Sequence, residues 1–485
     1  PTVSKEKQLQ AHKDIEQELH RAAYHGMRST ISMDLYPHIA PLGTPITTDK
    51  ILEQWQQTVD MIANGKAPKK LGLYTHIPFC TVACTFCYCA KTDDFKKKLF
   101  QDYFEWLMNQ VDLFAPIFKG SNFTSWYFGG GTPSLLPSHL MAKMFNRMHT
   151  AFPISPGTQV IFEGNPDSLS DKKIKVLSEI GKVTRLTIGL QTLDDEVQKK
   201  VKRYNKPKHV IDAIESARKW NIPHVNIDLM AGLPGQSMES FQKDVEFVLS
   251  LEPDSIHINP YRQLPTVFLS KVGERFTEKQ KYLRVEMSKW ANARLEEEGH
   301  KQWMGQGHRK TRNAANIQEY DLRTQNSSLL GLGYGAFSHS FSGSWYMPTN
   351  KDGFVKGLNN TVYDRSQWKA VDSGLREEMH KFMIRNMPTS VCRSTFQQLF
   401  QTDCMDVMGK QLRVLEKLGA IEINSDKIRY IGLPKAWVVY RGLLYSPAVQ
   451  QRAEEVWGNE YDQEKDYYGQ LSKYLEGFSF PLAPS

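Results

Sequence analysis

The sequence predicts an α/β fold: a partial (β/α)6 TIM-like barrel with an N-terminal helical segment and a C-terminal winged-helix-like α+β module. Between Leu71 and about Pro265, six short apolar runs alternate with amphipathic helical stretches at a spacing of roughly 30–50 residues. The runs are LGLYTHI, SWYFGGG, TQVIFEGNP, RLTIGLQT, HVNIDLMAGLP and SIHINPY. Strands separated by helices in this way form a parallel sheet through right-handed βαβ units. Six units fit a partial barrel better than a closed eight-stranded one, and ligand-binding groups are expected at the C-terminal ends of the strands.

Three segments flank the predicted barrel, which we assign to residues 71–300 and which ends in a helix over about 278–299. Residues 1–70 are expected to contain helices, the last of them ILEQWQQTVDMIA. A polar, glycine-rich stretch opens the next segment, 301–369. In residues 370–485, the helical STFQQLF and MDVMGKQLRVLEKLGA precede the alternating IEINSDKIRYIGL, an order that resembles a winged-helix-like module. We expect this module to act as a lid over the barrel.

Composition and charge exclude several classes of protein. The 485 residues are 40% hydrophobic and 24% charged, with a mean hydropathy of −0.49 and no long apolar run of the kind that spans a membrane. The polar beginning of the chain does not read as a secretory leader, so we expect a cytoplasmic location. The net charge of +8 is spread along the chain, which favours a solvated basic surface over a nucleic-acid-binding stripe.

Four of the six cysteines lie within ten positions: Cys80, Cys84, Cys87 and Cys89. Their spacing is C-x3-C-x2-C followed by C-x-C, and a loop with three such thiolates can hold an iron-sulfur cube with one iron left open. A zinc site typically uses two C-x2-C pairs separated by a longer loop, and that pattern is missing from this stretch. The sequence therefore predicts an iron-sulfur centre directly after the first strand.

The Y-x-HIPFC opening with its C-x3-C-x2-C spacing resembles the radical S-adenosylmethionine (SAM) superfamily. It is most similar to the branch that contains oxygen-independent coproporphyrinogen III oxidase. The resemblance implies a [4Fe-4S] cluster whose ligands are Cys80, Cys84 and Cys87, while Cys89 is not a ligand. It also implies that the open iron binds SAM, and that an electron supplied by a flavodoxin or ferredoxin cleaves SAM to methionine and a 5′-deoxyadenosyl radical.

The glycine-rich run FGGGTPS follows the second strand. Glycines let a backbone approach a ligand closely, although a plain tight turn has the same composition. One βα unit after the cysteines, the run resembles the loop that binds the amino group of SAM, which implies a role for Gly130, Gly131 and Thr132.

Polar residues near later strand ends extend the resemblance. It implies that the carboxylate and ribose of SAM are held by Glu163, Gln191, Arg203 and Asp228. An arginine fork suits a carboxylate. Each of these residues alone is more often solvated or a helix cap. Tyr74 stands just before the cysteine loop and is a candidate to stack or hydrogen-bond against SAM, with a packed strand aromatic as the alternative.

The stretch NIQEYDLRTQNSSLLGLGYGAFSH resembles a region of the same branch that helps to hold a second SAM molecule, with Gln318 and Gly333 as the candidates here. Glycine-rich segments also serve simple packing. We name Gln318, His308 and His339 as candidate catalytic residues, the two histidines for proton transfer. His76, in HIPFC, is equally compatible with a structural role.

Three function classes remain open. The first is decarboxylation of coproporphyrinogen propionates. The second is C-methylation or cyclopropanation of an sp2 carbon with a second SAM, including an anaerobic haem-modifying variant. The third is a non-catalytic haem carrier. We favour the second, because DLYPHIAPL differs from the N-terminal segment expected of the oxidase and Tyr88 replaces its glycine. The expected substrate is an aromatic or tetrapyrrole-like small molecule.

Overall fold

The computed structural model describes a large part of the chain. The described residues are 44–46, 50–87, 89, 91–92, 97–152, 154–261, 277–303, 307–324, 327–341, 343–346, 369–372, 378–379, 382–383, 386–387, 390–417 and 420–431. Tyr88, the segment DLYPHIAPL and most of the predicted N-terminal segment lie outside these residues, as does the end of the predicted lid module.

Strands of the main sheet come from most of the described chain. They are β1 (Thr44–Ile46), β2 (Leu71–Ile77), β3 (Phe123–Gly130), β4 (Ile154–Gly164), β5 (Arg185–Gln191), β6 (His224–Ala231), β7 (Ser255–Pro260), β8 (Lys301–Trp303), β9 (Gly307–Arg309), β10 (Ser328–Leu332), β11 (Phe337–His339), β12 (Gly343–Tyr346) and β13 (Lys369–Asp372). The helices up to residue 324 are α1 (Lys50–Ala63), α2 (Lys97–Phe114), α3 (Ser138–Ala151), α4 (Asp171–Glu179), α5 (Asp195–Val201), α6 (Pro207–Lys219), α7 (Met238–Ser250), α8 (Glu278–Glu297) and α9 (Ile317–Thr324).

Seven neighbouring strands of this sheet are parallel, in the order β10-β2-β3-β4-β5-β6-β7. Antiparallel strands continue both edges, β11, β12, β13 and β1 beyond β10, and β9 and β8 beyond β7. The six predicted strands are confirmed as β2 to β7, and the partial barrel is confirmed with them. The predicted helix over 278–299 is confirmed as Glu278–Glu297.

Strand β10 was not predicted. It pairs in parallel with β2, so that Gly331 lies opposite Tyr74. The sequence SLLGL is short and sits inside a stretch that reads as a glycine-rich segment, which hides its strand character. The segment that resembles a second SAM site is therefore partly a barrel strand.

Successive side chains along the parallel strands point alternately to a packed outer face and to a polar inner face. Outward-facing Leu73, Trp126, Phe162, Leu186 and Ile227 are fully buried in one continuous apolar core beneath the helices. Helix α5 begins at a side-chain cap, because the Asp194 side chain accepts from the backbone N–H groups of Glu196 and Val197. Burial of this apolar layer is the main stabilising term of the domain.

The inner face is closed at the N-terminal end of the strands by residues 312–318, which we call the plug. The Gln159 side chain donates to the carbonyl of Ala315 at 2.8 Å and accepts from the N–H of Ile317 at 2.9 Å. The Arg185 guanidinium donates to the carbonyl of Ala314 at 3.1 Å. Polar strand side chains therefore satisfy the plug backbone inside the barrel, where water cannot.

The C-terminal module has the predicted order of helix, helix and hairpin. It comprises β14 (Val391–Cys392), α10 (Arg393–Phe400), α11 (Cys404–Lys417), β15 (Ile421–Ile423) and β16 (Lys427–Tyr430). Its three-stranded sheet has the order β14-β16-β15. The rings of Phe341 and Phe400 stack at 5.6 Å, which attaches α10 to the segment that follows β11.

No helix among the described residues has the length and apolar character needed to cross a membrane.

Candidate active site

The cysteine loop leaves the end of β2 and folds back on itself. The N–H of Cys80 donates to the carbonyl of Thr92 at 2.9 Å, and the N–H of Thr92 donates to the carbonyl of Pro78 at 2.7 Å. Within the loop, the N–H of Cys87 donates to the carbonyl of Cys84 at 3.1 Å. These bonds hold a compact loop with its cysteines at the C-terminal edge of the parallel strands.

Each of the three predicted ligands has a distinct polar neighbour. The Cys80 sulfur lies 3.6 Å from the Thr132 hydroxyl, and the Cys84 sulfur lies 3.7 Å from a guanidinium nitrogen of Arg203. The side chain of Lys91 donates to the carbonyl of Cys87 at 3.0 Å. Burial raises the pKa of the Cys80 thiol to about 11, against the lowering effect of the Thr132 hydrogen bond.

Cys89 faces Cys87 within the same loop. A hydrogen bond from the Cys89 thiol lowers the pKa of Cys87 to about 5, and the same pairing together with burial raises the pKa of Cys89. The fourth cysteine is thus placed as a donor to a neighbouring sulfur. This placement agrees with the expectation that Cys89 is not a ligand, which stays a prediction.

Three consecutive glycines bring the end of β3 against the cysteine loop. A Cβ atom on Gly131 would lie 2.7 Å from the backbone of Pro78 and Phe79, and one on Gly130 would lie 2.6 Å from the ring of His76. Gly130 also has a φ of +112°, which favours glycine. The loop is therefore glycine-rich because two backbones touch, and it is open to a ligand only on its remaining side.

Arg203 joins the ends of three elements. It is 9% exposed and donates to Asn165 Oδ1 at 2.9 Å, to the carbonyl of Leu190 at 3.2 Å and to the carbonyl of Gly189. Gln191, at the end of β5, has a φ of +71° and its side-chain nitrogen lies beside Gly189. Both predicted residues thus stand at the edge of the sheet that carries the cysteines.

Two partly buried carboxyl groups lie on the inner face below this edge. The Tyr127 hydroxyl donates to Glu163, and the Asn226 amide donates to Asp228 at 2.7 Å. Burial raises the pKa of Glu163 to about 7, against the lowering effect of the Tyr127 hydrogen bond. Burial likewise raises the pKa of Asp228 to about 6, against the lowering effect of Arg185. Raised carboxyl pKa values inside a concave site are typical of functional positions.

Gly333 and Tyr74 lie on the other side of the cysteine loop. A Cβ atom on Gly333 would lie 2.4 Å from the carbonyl oxygen of His76, and Gly333 has a φ of +97°. The Tyr74 hydroxyl is 2.9 Å from Nδ1 of His76, and its ring packs against Phe337 at 5.9 Å. The turn that ends β10 therefore touches the strand that ends in the cysteine loop.

The other three candidates lie away from this edge. The Gln318 amide donates to the carbonyl of Leu73 at 3.0 Å and to the Ser125 hydroxyl at 3.2 Å, as part of the plug. His308, on β9, is buried opposite Ile256 near the start of β7. His339, on β11, is buried 3.5 Å from Glu378. Their catalytic roles stay predictions that these positions do not support.

Sequence patterns did not single out several side chains that complete the site. These are Lys91, Tyr127, Asn165, Arg185 and His257, the last with Nδ1 3.7 Å from Asp228 Oδ1. The signal that was available is the alternation along the strands, because inward-facing positions, such as Ser125 and Tyr127 in β3 and Arg185 and Thr187 in β5, alternate with the apolar outer face. Polar residues at those positions predict a polar barrel interior.

The donor set fits an iron-sulfur cluster and SAM. The cysteines of the loop are free thiols. Among the described residues, no three His, Cys, Asp or Glu side chains are grouped closely enough to hold a single metal ion. A cube spaces its thiolates further apart, because each thiolate binds a different iron. The glycine loop touches the cysteine loop at Pro78 and Phe79, and the Glu163 carboxyl lies beside Gly129, so polar groups suited to a cationic small molecule lie next to the cysteines.

Comparisons with known proteins agree with this donor set. Residues 74–248 match the family model of the radical SAM superfamily. The oxygen-independent coproporphyrinogen III oxidase of Helicobacter pylori is 27% identical over 75% of this chain and 82% of its own length. The enzyme of the same name from Paracoccus denitrificans is 29% identical over 47% of this chain, and the match spans about half of that relative, 49%. Anaerobilin synthase of Escherichia coli O157:H7 is 26% identical over 51% of this chain and 59% of its own length.

A solved structure has the same fold. Coproporphyrinogen III oxidase from Escherichia coli superposes with a TM-score of 0.69 at 20% identity, over 85% of this chain and 96% of that chain. Members of the radical SAM superfamily use a [4Fe-4S] cluster and SAM. Residues 74–248 are a radical SAM domain, and the chain is a homologue of the oxygen-independent coproporphyrinogen III oxidases.

Proposed function

We propose that this radical SAM enzyme uses a second SAM molecule to methylate or cyclopropanate an sp2 carbon of an aromatic or tetrapyrrole-like substrate. The contact between Gly333 and His76 is the observation that carries the proposal. It brings the turn after β10 against the strand that leads into the cysteine loop. A ligand held by that turn lies next to a ligand held by the cysteines.

Different residues of the chain bind the cluster and the first SAM molecule. Cys80, Cys84 and Cys87 hold the cluster, which when bound supplies the electron for reductive cleavage of SAM. The backbone of the triple-glycine loop approaches SAM closely, and the buried guanidinium of Arg203 supplies positive charge next to Cys84. Glu163 and Asp228 offer oxygens to the hydroxyl groups and cationic centre of SAM.

Exclusion of water is the second task of the fold. A primary carbon radical removes hydrogen from almost any C–H bond, so reactants must be held in contact and solvent kept out. The plug supports this by closing the N-terminal end of the barrel with hydrogen bonds from Gln159, Arg185 and Gln318. We further propose that the C-terminal module, which is attached through the stacked rings of Phe341 and Phe400, acts as a lid over the barrel.

A second candidate function is radical decarboxylation of coproporphyrinogen III. It is favoured by the relatives that carry that name, one of which aligns over 82% of its own length. The haem-modifying variant of methyl transfer stays within the first proposal. For both functions we propose a cytoplasmic location and an electron donor of the flavodoxin or ferredoxin type, because cluster and thiols need a reducing compartment.

An anaerobic reaction with methyl-deuterated SAM separates the two candidates. The reconstituted enzyme is incubated with dithionite and with either haem or coproporphyrinogen III. Methyl transfer predicts S-adenosylhomocysteine, deuterium in 5′-deoxyadenosine and a deuterated one-carbon addition to the substrate. Carbon dioxide release with 5′-deoxyadenosine that carries no deuterium, and with no S-adenosylhomocysteine, would overturn the proposal in favour of decarboxylation.

A further inference from the structure

One stretch of surface lies directly over the cysteine loop, and we call residues 81–83 and 199–206 together the cysteine-loop face. Residues 81–83, between Cys80 and Cys84, are all exposed. Two contacts tie this part of the loop to the end of α5. The N–H of Thr85 donates to the carbonyl of Val201 at 3.1 Å, and the sulfur of Cys84 lies 3.8 Å from the carbonyl of Lys202. The cysteine-loop face therefore lies next to a predicted cluster ligand, because its residue Lys202 contacts the sulfur of Cys84.

A small apolar cluster makes this face rigid. Phe86 of the cysteine loop packs against a buried group that includes Val197 and Val201 of α5, Met230 of β6 and Leu233 after β6. Loop and helix are thus held as one surface. A partner that touches α5 stays at a fixed distance from Cys84.

The face is basic. Lys199, Lys200, Lys202 and Lys206 are all exposed within eight positions. Glu196 pairs with Lys199 at 2.5 Å, and the other exposed acidic residue of α5, Asp195, lies at the opposite end of that helix. Positive charge therefore prevails at the end of α5 that faces the cysteine loop.

Exposed apolar side chains lie among these lysines. Tyr204 is 63% exposed and Val82 is 37% exposed, and they are two of the five large apolar side chains that are exposed in the described part of the chain. Apolar contacts ringed by charge are typical of a transient protein interface. Arg203, between Lys202 and Tyr204, is buried and points inward to Cys84.

From these observations we propose that the cysteine-loop face is the docking surface for an acidic one-electron carrier, a small protein with its redox group exposed at its surface. The inference rests on the proposed cluster, because reductive cleavage of SAM needs an external electron. The lysines surround the part of the surface that is closest to Cys84. They attract a negatively charged carrier to the position from which electron transfer to the proposed cluster is fastest. Val82 and Tyr204 supply the apolar centre of the contact.

Charge reversal tests the surface in the anaerobically reconstituted full-length protein. The test variant is Lys200→Glu/Lys206→Glu, and the control is Lys119→Glu/Lys182→Glu, two exposed lysines that precede β3 and β5 at the other end of the strands. Stopped-flow absorbance follows oxidation of a flavodoxin hydroquinone. We expect the test variant to be reduced about tenfold more slowly at low salt and the control to match the wild type. The dissociation constant for oxidised flavodoxin, measured by calorimetry, is expected to rise in the same variant only.

Two further measurements and two contrary outcomes complete the test. Reduction by dithionite, followed by electron paramagnetic resonance, is expected to be equal in all three proteins. Tyr204→Ala is expected to weaken flavodoxin binding with no change in the dithionite reaction. If the two charge-reversed variants have equal flavodoxin rates and affinities, the proposed docking surface is wrong. That result leaves the proposed function unaffected. A wild-type protein that takes up no cluster would overturn the proposed function and, with it, this surface.

Discussion

Glu163 is a carboxyl of the candidate site whose pKa the fold raises. Its carboxyl has a pKa of about 7 in the folded chain, against an ordinary value of 4.5, because it is buried. The unfolded chain loses this proton at lower pH than the folded chain. The stability that the protonated group contributes is therefore present below about pH 4.5 and is lost as pH rises towards 7.

The direction of this pKa shift predicts how Glu163→Gln changes the stability of the cluster-free protein. The amide keeps an acceptor for the Tyr127 hydroxyl and carries no charge to desolvate. We expect little change in melting temperature at pH 5 and a higher melting temperature at pH 8, from a gain of about 3 kcal/mol. Scanning calorimetry at the two pH values is the measurement. A melting temperature that falls equally at both would mean that Glu163 is already ionised in the folded chain at pH 5, which contradicts a raised pKa.

Gly333 allows a matched comparison of two glycines. Gly333→Ala and Gly120→Ala both place a side chain at positive φ, +97° and +83°. A Cβ atom on Gly120 meets nothing within 4 Å, whereas one on Gly333 meets the His76 carbonyl. We expect Gly120→Ala to cost about 1 kcal/mol, the backbone cost alone.

Gly333→Ala is expected to cost clearly more and to displace the turn beside the cysteine loop. Under the proposed function it then reduces methyl transfer more than it reduces cleavage of the first SAM. The free energy of unfolding in urea and the ratio of S-adenosylhomocysteine to 5′-deoxyadenosine are the two readouts. Equal effects from the two glycine variants would argue against a tight contact at Gly333.

At the scale of elements, the strands were more predictable than the plug. Runs such as LGLYTHI and RLTIGLQT coincide with β2 and β5 because an apolar outer face and flanking helices leave a strong local signal. The plug and β10 depend on contacts far apart in sequence, such as Gln318 with Leu73. No local pattern encodes those pairings.

Gln318 tests whether the plug residue is structural or binds SAM. Gln318→Leu removes the donor to the Leu73 carbonyl and to the Ser125 hydroxyl, and we expect a loss of about 1–3 kcal/mol in the free energy of unfolding. Gln56→Leu, at an exposed position of α1, is the control and is expected to change stability by less than about 0.5 kcal/mol. If the variant keeps its stability but loses methyl transfer, Gln318 contacts the second SAM and the structural explanation is wrong.

The candidate site itself was only partly predictable. Cysteine spacing and glycine runs are local, so the loop at Cys80 and the loop at Gly131 were found. Roles for His308 and His339 rested on residue type alone, and both side chains are buried away from the cysteine edge. Tyr127 looked like a packed strand aromatic, and only the fold places its hydroxyl against Glu163.

At the scale of the whole molecule, the C-terminal module is expected to keep solvent from the site. Phe400→Ala removes the stacking contact with Phe341, whereas Gln398→Ala changes an exposed residue of the same helix. We expect the first variant to release more 5′-deoxyadenosine per product than the wild type, and the second to match the wild type. Equal coupling in Phe400→Ala would mean that the module does not act as a lid.

The central claim is that three thiols of the cysteine loop hold a [4Fe-4S] cluster whose open iron binds SAM. Electron paramagnetic resonance of the reduced, reconstituted protein, with and without SAM, tests it most directly. The account predicts a [4Fe-4S] signal that SAM shifts, that Cys80→Ala, Cys84→Ala and Cys87→Ala abolish, and that Cys89→Ala retains. A signal that SAM leaves unchanged, or one that Cys89→Ala abolishes, would contradict it.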